Sequence, residues 1–180
     1  WGAHIPLDVG YTMVAHTILR RGSEKMRREF LPRMIRGEVE FCLGYTEPNA
    51  GSDLASMMMR VVEEGDDFLI NGQKTFNTEA HYAEYHWLAA RTDFSPHIPK
   101  HRGISLFIVD MNSPGVSVRP LITMSGEQTN EVFYENVRVP QDRLVGEKNK
   151  GFYYMMEAID SERNHVFTPC RLLPILKDLI

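Results

Sequence analysis

The sequence predicts an α+β fold in which an antiparallel β-barrel domain is flanked by helices of two α-helical domains. Apolar residues recur at helical spacing near the start, short strand-like runs separated by turn signals fill the middle, and helical spacing then returns. We therefore divide the chain into residues 1–38, the end of an N-terminal helical domain; residues 39–146, a middle β-domain; and residues 147–180, the start of a C-terminal helical domain.

The composition is that of a folded protein. The 180 residues are 43% hydrophobic and 24% charged, so the chain can bury a sizeable core. The formal net charge is −4 and there is no basic stripe, so we expect no nucleic-acid partner. No apolar run approaches the roughly 18 residues of a membrane span. The chain lacks an initiating Met and a signal-peptide pattern, and we expect it to be part of a longer protein.

The two outer zones predict helices. Residues 9–21 have helical spacing, Gly22 interrupts it, and Ser23 can cap a second helix that runs through EKMRREFLPRMI towards Gly37. Helical spacing returns in FYYMMEAIDSERNHVF, and Pro169 begins a further segment.

The middle zone predicts at least six strands after EVEFCL. They are SMMMRVVEE, FLINGQKTF, YHWLAARTD, GISLFIVD, GVSVRPL and EVFYENVRVP, with turn signals between them. Asn71-Gly72, between FLI and QKTF, predicts a two-residue hairpin. This many short strands with few intervening helices indicates an antiparallel barrel or sandwich.

The cysteines and histidines do not predict a metal site. Cys42 and Cys170 are far apart, and Cys42 lies in a predicted buried strand, where it is interpreted as small apolar filler. The four central histidines have no Cys or carboxylate at zinc spacing, so we interpret them as scattered surface residues. They are His81, His86, His97 and His101.

The stretch GYTEPNAGSDLA, residues 44–55, is dense in turn residues. One interpretation is a solvent-exposed loop that is rich in Gly and Pro. The other is a binding turn, in which Gly51 lets the backbone approach a ligand while Thr46 and Ser52 offer hydroxyls and amides. The stretch is not a dinucleotide fingerprint, because it lacks GxGxxG and a strand-to-helix context. Residue types alone leave both interpretations open.

The order of residues in YTEPNAGSDL resembles the motif that opens the middle domain of the acyl-CoA dehydrogenase family. The preceding GSEKMRREFLPRMIRGE resembles the same family, and DDFLINGQKTFNTEAHYAEYHWLAART resembles its second flavin-contacting strand. RGISLFIVDMNSPGVSVRP and NEVFYENVRVPQDRLVGEKNKGF resemble the rest of its barrel and the entry into its C-terminal helices. The resemblance therefore extends along the whole chain.

This resemblance implies that FAD lies against the middle domain and that an acyl-CoA thioester lies across the flavin ring. Thr46 and Thr78 are implied to hydrogen-bond the flavin, with Phe76 packed beside it. The implied cofactor contacts are Leu43, Tyr45, Thr46, Gly51, Ser52, Phe76, Asn77 and Thr78. The family often has Trp where this chain has Phe76, so weaker shielding of the flavin is expected. The family's cofactor site also uses C-terminal helices, including residues of a neighbouring subunit.

Residues on the predicted helix after the barrel complete the implied site. Asp160 and Arg163 on that helix, together with Ser52 of the turn, are implied to contact the acyl-CoA. The reaction needs a carboxylate to remove the α-proton of the substrate. Most members place that Glu far downstream, whereas a minority use the place where Glu162 stands. Glu162 is therefore a candidate catalytic base, and a surface Glu-Arg pair on a helix is the alternative.

The resemblance implies flavin-dependent α,β-dehydrogenation of an acyl-CoA thioester. FAD would accept a hydride and pass electrons to an electron-transfer flavoprotein, and the full-length protein would be a homodimer or homotetramer. It also implies a location in the bacterial cytoplasm or the mitochondrial matrix rather than secretion. An acyl-CoA oxidase of the same fold and a non-catalytic β-domain that binds acyl-CoA or a protein remain as alternatives.

Overall fold

The computed structural model describes residues 10–164, including their side chains except at positions 11 and 161–164. The predicted segment that starts at Pro169, and Cys170 within it, lie outside these residues. In the described part of the chain, no helix is long and apolar enough to cross a membrane.

Three helices flank the strands of the described chain. A π-helical turn, Gly10–Ala15, leads into α1, His16–Arg21; α2 spans Glu24–Ile35, and α3 spans Gly151–Asn164. The predicted cap of α2 is confirmed, because the Ser23 hydroxyl accepts a hydrogen bond from the Met26 backbone N–H at 3.2 Å.

Seven strands of the described residues form one sheet. They are β1, Phe41–Gly44; β2, Arg60–Glu64; β3, Asp67–Lys74; β4, Tyr85–Arg91; β5, Ile104–Asp110; β6, Val116–Ile122; and β7, Gln128–Pro140. The order is β1-β4-β2-β3-β7-β6, and β5 also pairs with β4. Most pairings are antiparallel, but β1 and β2 run parallel to β4. The α+β class is confirmed, with a mixed sheet that curls into a half-barrel.

The hairpin predicted at Asn71-Gly72 is wrong. Strand β3 continues through both residues, and the chain reverses earlier, at Gly65-Asp66. The register between β3 and β7 shifts beside Asn71, and the extra residue lies on β7. Asn71 Oδ1 accepts a hydrogen bond from the Asn136 backbone N–H at 2.8 Å, and Asn136 has a positive φ of 54°. The Asn-Gly pair therefore accommodates a bulge in the neighbouring strand.

Within the described residues, the core has two parts, one on each face of β4 and β5. Towards the helices, Trp87 and Ile108 belong to the same buried cluster as Phe30 of α2 and Met155 of α3. Towards the half-barrel interior, buried residues of β4 and β5 meet those of β3 and β7. The ring centroids of Phe68 in β3 and Phe107 in β5 lie 5.0 Å apart, although these strands are not neighbours. Curling of the sheet brings them together.

Cys42 fills a position in this interior, as predicted. It is 1% exposed, and burial raises the pKa of its thiol to about 12. The thiol is therefore protonated at neutral pH and behaves as a small apolar side chain.

Candidate functional site

Two segments of the chain lie side by side where β1 and β3 end. The first is the opening turn, residues 45–59, which follows β1; the second is the Phe76 segment, residues 75–78, which follows β3. They are joined by a hydrogen bond from the Thr75 backbone N–H to the Thr46 carbonyl oxygen at 2.9 Å. The structure therefore brings together the two regions that the sequence predicted as cofactor contacts.

Phe76 is exposed in a conformation that is unfavourable for an aromatic residue. Its φ is 57° and the residue is 61% exposed. The left-handed region costs a residue with a Cβ about 1–2 kcal/mol. Thr78 is exposed as well, and Thr46 is half-buried. A strained, solvent-facing ring beside two hydroxyl-bearing side chains is typical of a surface that receives a ligand.

The side chains of Tyr45 and Asn77 face the interior. Tyr45 is 8% exposed, and its hydroxyl accepts a hydrogen bond from Trp87 Nε1 at 3.0 Å. Asn77 is 0% exposed. Of the eight predicted cofactor residues, these two lie behind the surface that carries Phe76 and Thr78.

Gly51 and Ser52 lie at the exposed tip of the opening turn. The turn is closed by two backbone hydrogen bonds between Glu47 and Ala50, at 3.1 and 3.0 Å. A Cβ at Gly51 would meet no atom within 4 Å, and the φ of Gly51 is not positive. Neither packing nor backbone conformation therefore requires glycine here, and the open space is compatible with close approach of a ligand.

A buried ion pair, which sequence reasoning missed, holds the base of the opening turn. Lys74 is 0% exposed, and its Nζ donates to Glu47 Oε1 at 2.9 Å and to the Tyr45 carbonyl oxygen at 3.0 Å. The Glu47 carboxylate also accepts from the backbone N–H groups of Met58 and Met59 at 2.6 and 2.9 Å. Burial lowers the pKa of Lys74 to about 8, against the opposing charge of Glu47. The pair thus ties both ends of the turn to β3.

The interpretation of His86 as a surface residue is wrong. It lies within β4 and is 0% exposed, because β4 is covered on both faces. Its Nε2 lies 2.8 Å from Asn77 Oδ1, and its Nδ1 lies within hydrogen-bonding distance of the Tyr134 hydroxyl. Burial lowers the pKa of His86 to about 3, so the ring is neutral. His81 and His97 are exposed, as predicted.

The His86 ring also explains a glycine at the end of β1. A Cβ at Gly44 would lie 2.3 Å from His86 Nε2, which no real contact allows. Gly44 is therefore required by the close approach of the ring. His86 therefore lies between Gly44 at the end of β1 and Asn77 of the Phe76 segment.

Apart from Ser52, the predicted substrate residues and the candidate base lie near the C-terminal end of α3. Met155 is 0% exposed and Ile159 is half-buried against the helix-side core, whereas Asp160 is exposed. Glu162 and Arg163 belong to the helix, and their side chains lie outside the described residues.

The residues at this surface fit a flavin. An isoalloxazine ring is a flat apolar body with a polar edge, which matches an exposed aromatic ring flanked by hydroxyls on adjacent segments. Within residues 10–164, no group of three or more His, Cys, Asp or Glu side chains could hold a metal ion.

Fold and site together define an α+β protein whose half-barrel presents the exposed residues Phe76 and Thr78 where β3 ends, next to the turn that follows β1. The family model of the acyl-CoA dehydrogenase middle domain matches residues 42–137, which is more than half of the chain. The chain therefore belongs to the acyl-CoA dehydrogenase family.

Individual members of the family resemble the chain in sequence and in structure. It is 46% identical over 163 residues to acyl-CoA dehydrogenase FadE29 of Mycobacterium tuberculosis, covering 89% of this chain and 42% of the relative. The solved structure of the Tcur3481-Tcur3483 steroid ACAD matches 86% of this chain and 40% of its own, with 41% identity and a TM-score of 0.83. The glutaryl-coenzyme A dehydrogenase glutaryl-CoA complex matches 86% of this chain and 40% of its own, with 31% identity and a TM-score of 0.78. The chain spans about two-fifths of the length of these proteins.

Proposed function

We propose that the whole protein is a flavin-dependent acyl-CoA dehydrogenase and that this chain supplies its flavin-facing β-domain. The observation that carries the proposal is the exposed, left-handed Phe76, which lies on the same segment as Thr78 and next to the turn that carries Thr46. Membership of the family supports the same assignment.

In this proposal the residues of the chain bind and orient the cofactor. Phe76 packs against the flat face of the flavin, while the hydroxyls of Thr46 and Thr78 donate hydrogen bonds to its polar edge. Leu43 adds apolar contact, and the exposed tip at Gly51 and Ser52 receives the pyrophosphate or the substrate. When bound, FAD supplies the hydride acceptor that the protein side chains lack.

The substrate in this proposal is an acyl-CoA thioester that lies against the same surface. Ser52, together with Asp160 and Arg163 on α3, contacts it, and a carboxylate removes the α-proton. Glu162 is one candidate for that carboxylate, and a residue outside this chain is the other. We further propose that the whole protein is a homodimer or homotetramer and passes electrons to an electron-transfer flavoprotein.

Anaerobic titration of the purified whole protein with acyl-CoA thioesters tests the proposal. We expect bound FAD whose visible absorbance is bleached by at least one thioester, and no bleaching by free CoA. Glutaryl-CoA and a steroid acyl-CoA belong in the panel, because a glutaryl-coenzyme A dehydrogenase and a steroid ACAD are among the structural relatives.

The same titration distinguishes the alternatives. Rapid recovery of the flavin colour in air, with hydrogen peroxide released, would assign an acyl-CoA oxidase. A protein that binds acyl-CoA but takes up no FAD would assign a non-catalytic binding domain and contradict the proposal.

A further inference from the structure

Hydrogen bonds of Asn77 hold the Phe76 segment in place. Asn77 Nδ2 donates to the Asn130 carbonyl oxygen at 3.2 Å, and the Asn77 backbone N–H donates to the same oxygen at 2.9 Å. In return, Asn130 Nδ2 donates to the Asn77 carbonyl oxygen at 2.9 Å. Both asparagines are 0% exposed. These bonds tie the segment to β7 beyond the point where β3 ends.

The bond from His86 to Asn77 has a fixed direction. Since Asn77 Nδ2 is oriented towards Asn130, its Oδ1 is the atom that faces His86, and an amide oxygen can only accept. His86 Nε2 therefore carries the ring proton, and Nδ1 accepts from the Tyr134 hydroxyl. Tyr134 thus donates a hydrogen bond to His86, His86 donates to Asn77, and Asn77 donates to the Asn130 carbonyl oxygen.

The same ring lies against the strand that leads into the opening turn. The Cα of Gly44 sits so close to His86 that no Cβ fits between them. Two residues further on, the Thr46 carbonyl oxygen accepts from Thr75. The His86 ring thus sets the spacing between the two segments that present Thr46 on one side and Phe76 and Thr78 on the other.

We propose that Asn77 and His86 are positioning residues, which hold Phe76 and Thr78 in place for the flavin. This inference rests on the proposed function. Neither side chain reaches the exposed surface, so each acts through the main chain of the Phe76 segment. The Asn77 side chain points inward, while those of Phe76 and Thr78 point outward. The left-handed conformation of Phe76 is maintained because the residue after it is bonded on both sides.

Three variants of the whole protein test the proposal. Asn77→Leu and His86→Leu remove the bond between the two side chains, whereas His86→Gln keeps an N–H donor near the position of Nε2. For both leucine variants we expect the Kd for FAD to rise about tenfold. We also expect a tenfold weaker preference for reduced flavin, which lowers the two-electron potential by about 30 mV. His86→Gln is expected to restore most of both properties.

Tyr134→Phe is the matched control, because it removes a hydrogen bond from the same network at the end distant from Asn77. It should lower the Tm of the whole protein but leave the flavin potential unchanged. In flavin-free protein, amide exchange of residues 75–79 should accelerate in the leucine variants and not in Tyr134→Phe.

Several results would overturn the inference. One is a leucine variant with reduced Tm but wild-type exchange and potential, because the network would then be ordinary packing. Another is an equal potential shift in Tyr134→Phe. If the leucine variants do not fold, Asn77→Ser replaces them, because its shorter side chain keeps a polar group but lacks the amide Nδ2 that reaches the Asn130 carbonyl oxygen. Unchanged exchange in that variant would also refute the role. A wild-type protein that takes up no FAD would overturn the proposed function and this inference together, whereas altered variants of a flavin-loaded protein separate the two.

Discussion

The side chains of three consecutive residues point in alternating directions. These residues are Phe76, Asn77 and Thr78. Phe76 and Thr78 face solvent, and Asn77 is fully buried. The resemblance of KTFNT to a flavin-contacting strand located all three residues in the sequence. It could not give the direction of Asn77, because the segment has left the strand ladder and the alternation of side chains is no longer fixed by pairing.

Thr78→Ala tests the outward hydroxyl. In the whole protein we expect flavin reduction to slow about ten- to a hundred-fold while acyl-CoA affinity changes little. The physical reason is that a hydrogen bond to the more negative, reduced ring is lost, which costs about 1.5–3 kcal/mol. Stopped-flow reduction measures the rate. Ser117→Ala, an exposed hydroxyl on β6, is the control. An unchanged reduction rate in Thr78→Ala would remove Thr78 from the site.

Glu162→Gln tests the candidate base at the end of α3. Met155 and Ile159 pack on the helix-side core, and helical spacing predicts that Glu162, three residues after Ile159, lies close to the same stripe of the helix. We expect a raised KM for acyl-CoA and a largely unchanged reduction rate, because most of the family keeps its base downstream. Glu157→Gln on the same helix, which loses surface pairs with Arg20 and Arg21, is the control. A fall in reduction of about a hundredfold with binding intact would instead assign the base to Glu162.

At the scale of single strands, the alternation of inward and outward side chains could have predicted more buried residues than the turn and strand signals did. In β3, Phe68 and Ile70 face inward, and Lys74 continues the same series of even positions. Period-two counting could therefore have predicted a buried lysine and a search for its partner, Glu47. His86 lies in a nearly continuous apolar run, YHWLAA, which is typical of a strand covered on both faces. The bulge beside Asn71 could not have been found this way, because it depends on the partner strand.

Lys74→Met tests the buried pair. We expect the free energy of unfolding to fall by about 3–5 kcal/mol, because the Glu47 carboxylate is left buried without its cation. Lys148→Met is the matched control, since the Lys148–Glu63 pair has side chains 40% and 52% exposed. Its loss should cost less than about 1 kcal/mol. Urea denaturation of the whole protein measures both, and equal losses would contradict the structural role of Lys74.

At the scale of the whole molecule, strand count and fold class followed from the sequence, but the parallel pairing of β1 and β2 with β4 did not. The number of strand-like runs and the flanking helical zones were sufficient for an α+β fold. Parallel pairing of β1 and β2 with β4 joins strands that are distant in the chain, and local turn signals carry no information about such pairings. The contact of Phe68 with Phe107 depends on the resulting curl.

Burial of His86 makes the stability of the fold sensitive to acid. The pKa of His86 is lowered from 6.5 to about 3, mainly by burial and also by the nearby charge of Lys74. Between pH 6.5 and about 3, His86 is protonated in the unfolded chain but not in the folded protein. The free energy of unfolding therefore falls as the pH decreases below 6.5. The contribution approaches about 1.4 kcal/mol per pH unit.

Urea titrations of the whole protein at a series of pH values between about 4 and 7 check this dependence. His86→Gln should show a shallower loss of stability on acidification, because Gln does not titrate. Tyr134→Phe keeps the histidine and should retain a steep dependence. Identical pH profiles for wild type and His86→Gln would show that other groups dominate the response.

The 180-residue chain produced on its own should hold FAD weakly. It spans about two-fifths of the length of its relatives, and the family's cofactor site is expected to use C-terminal helices and a neighbouring subunit as well. A binding interface that lacks many of its contacts rarely keeps the affinity of the whole. Absorbance after dialysis measures the retained flavin. Stoichiometric flavin on the isolated chain would contradict this expectation.

The contact between Gly44 and His86 also imposes a rule on evolutionary change. A Cβ at position 44 and an imidazole at position 86 cannot occupy the same space, so position 44 can gain a side chain only where His86 has been replaced. Lineages that place alanine or a larger residue at 44 should carry a smaller or differently shaped side chain at 86, and with it a different partner for residue 77. In lineages that have changed both positions, the replacement of His86 should therefore have come before the replacement of Gly44.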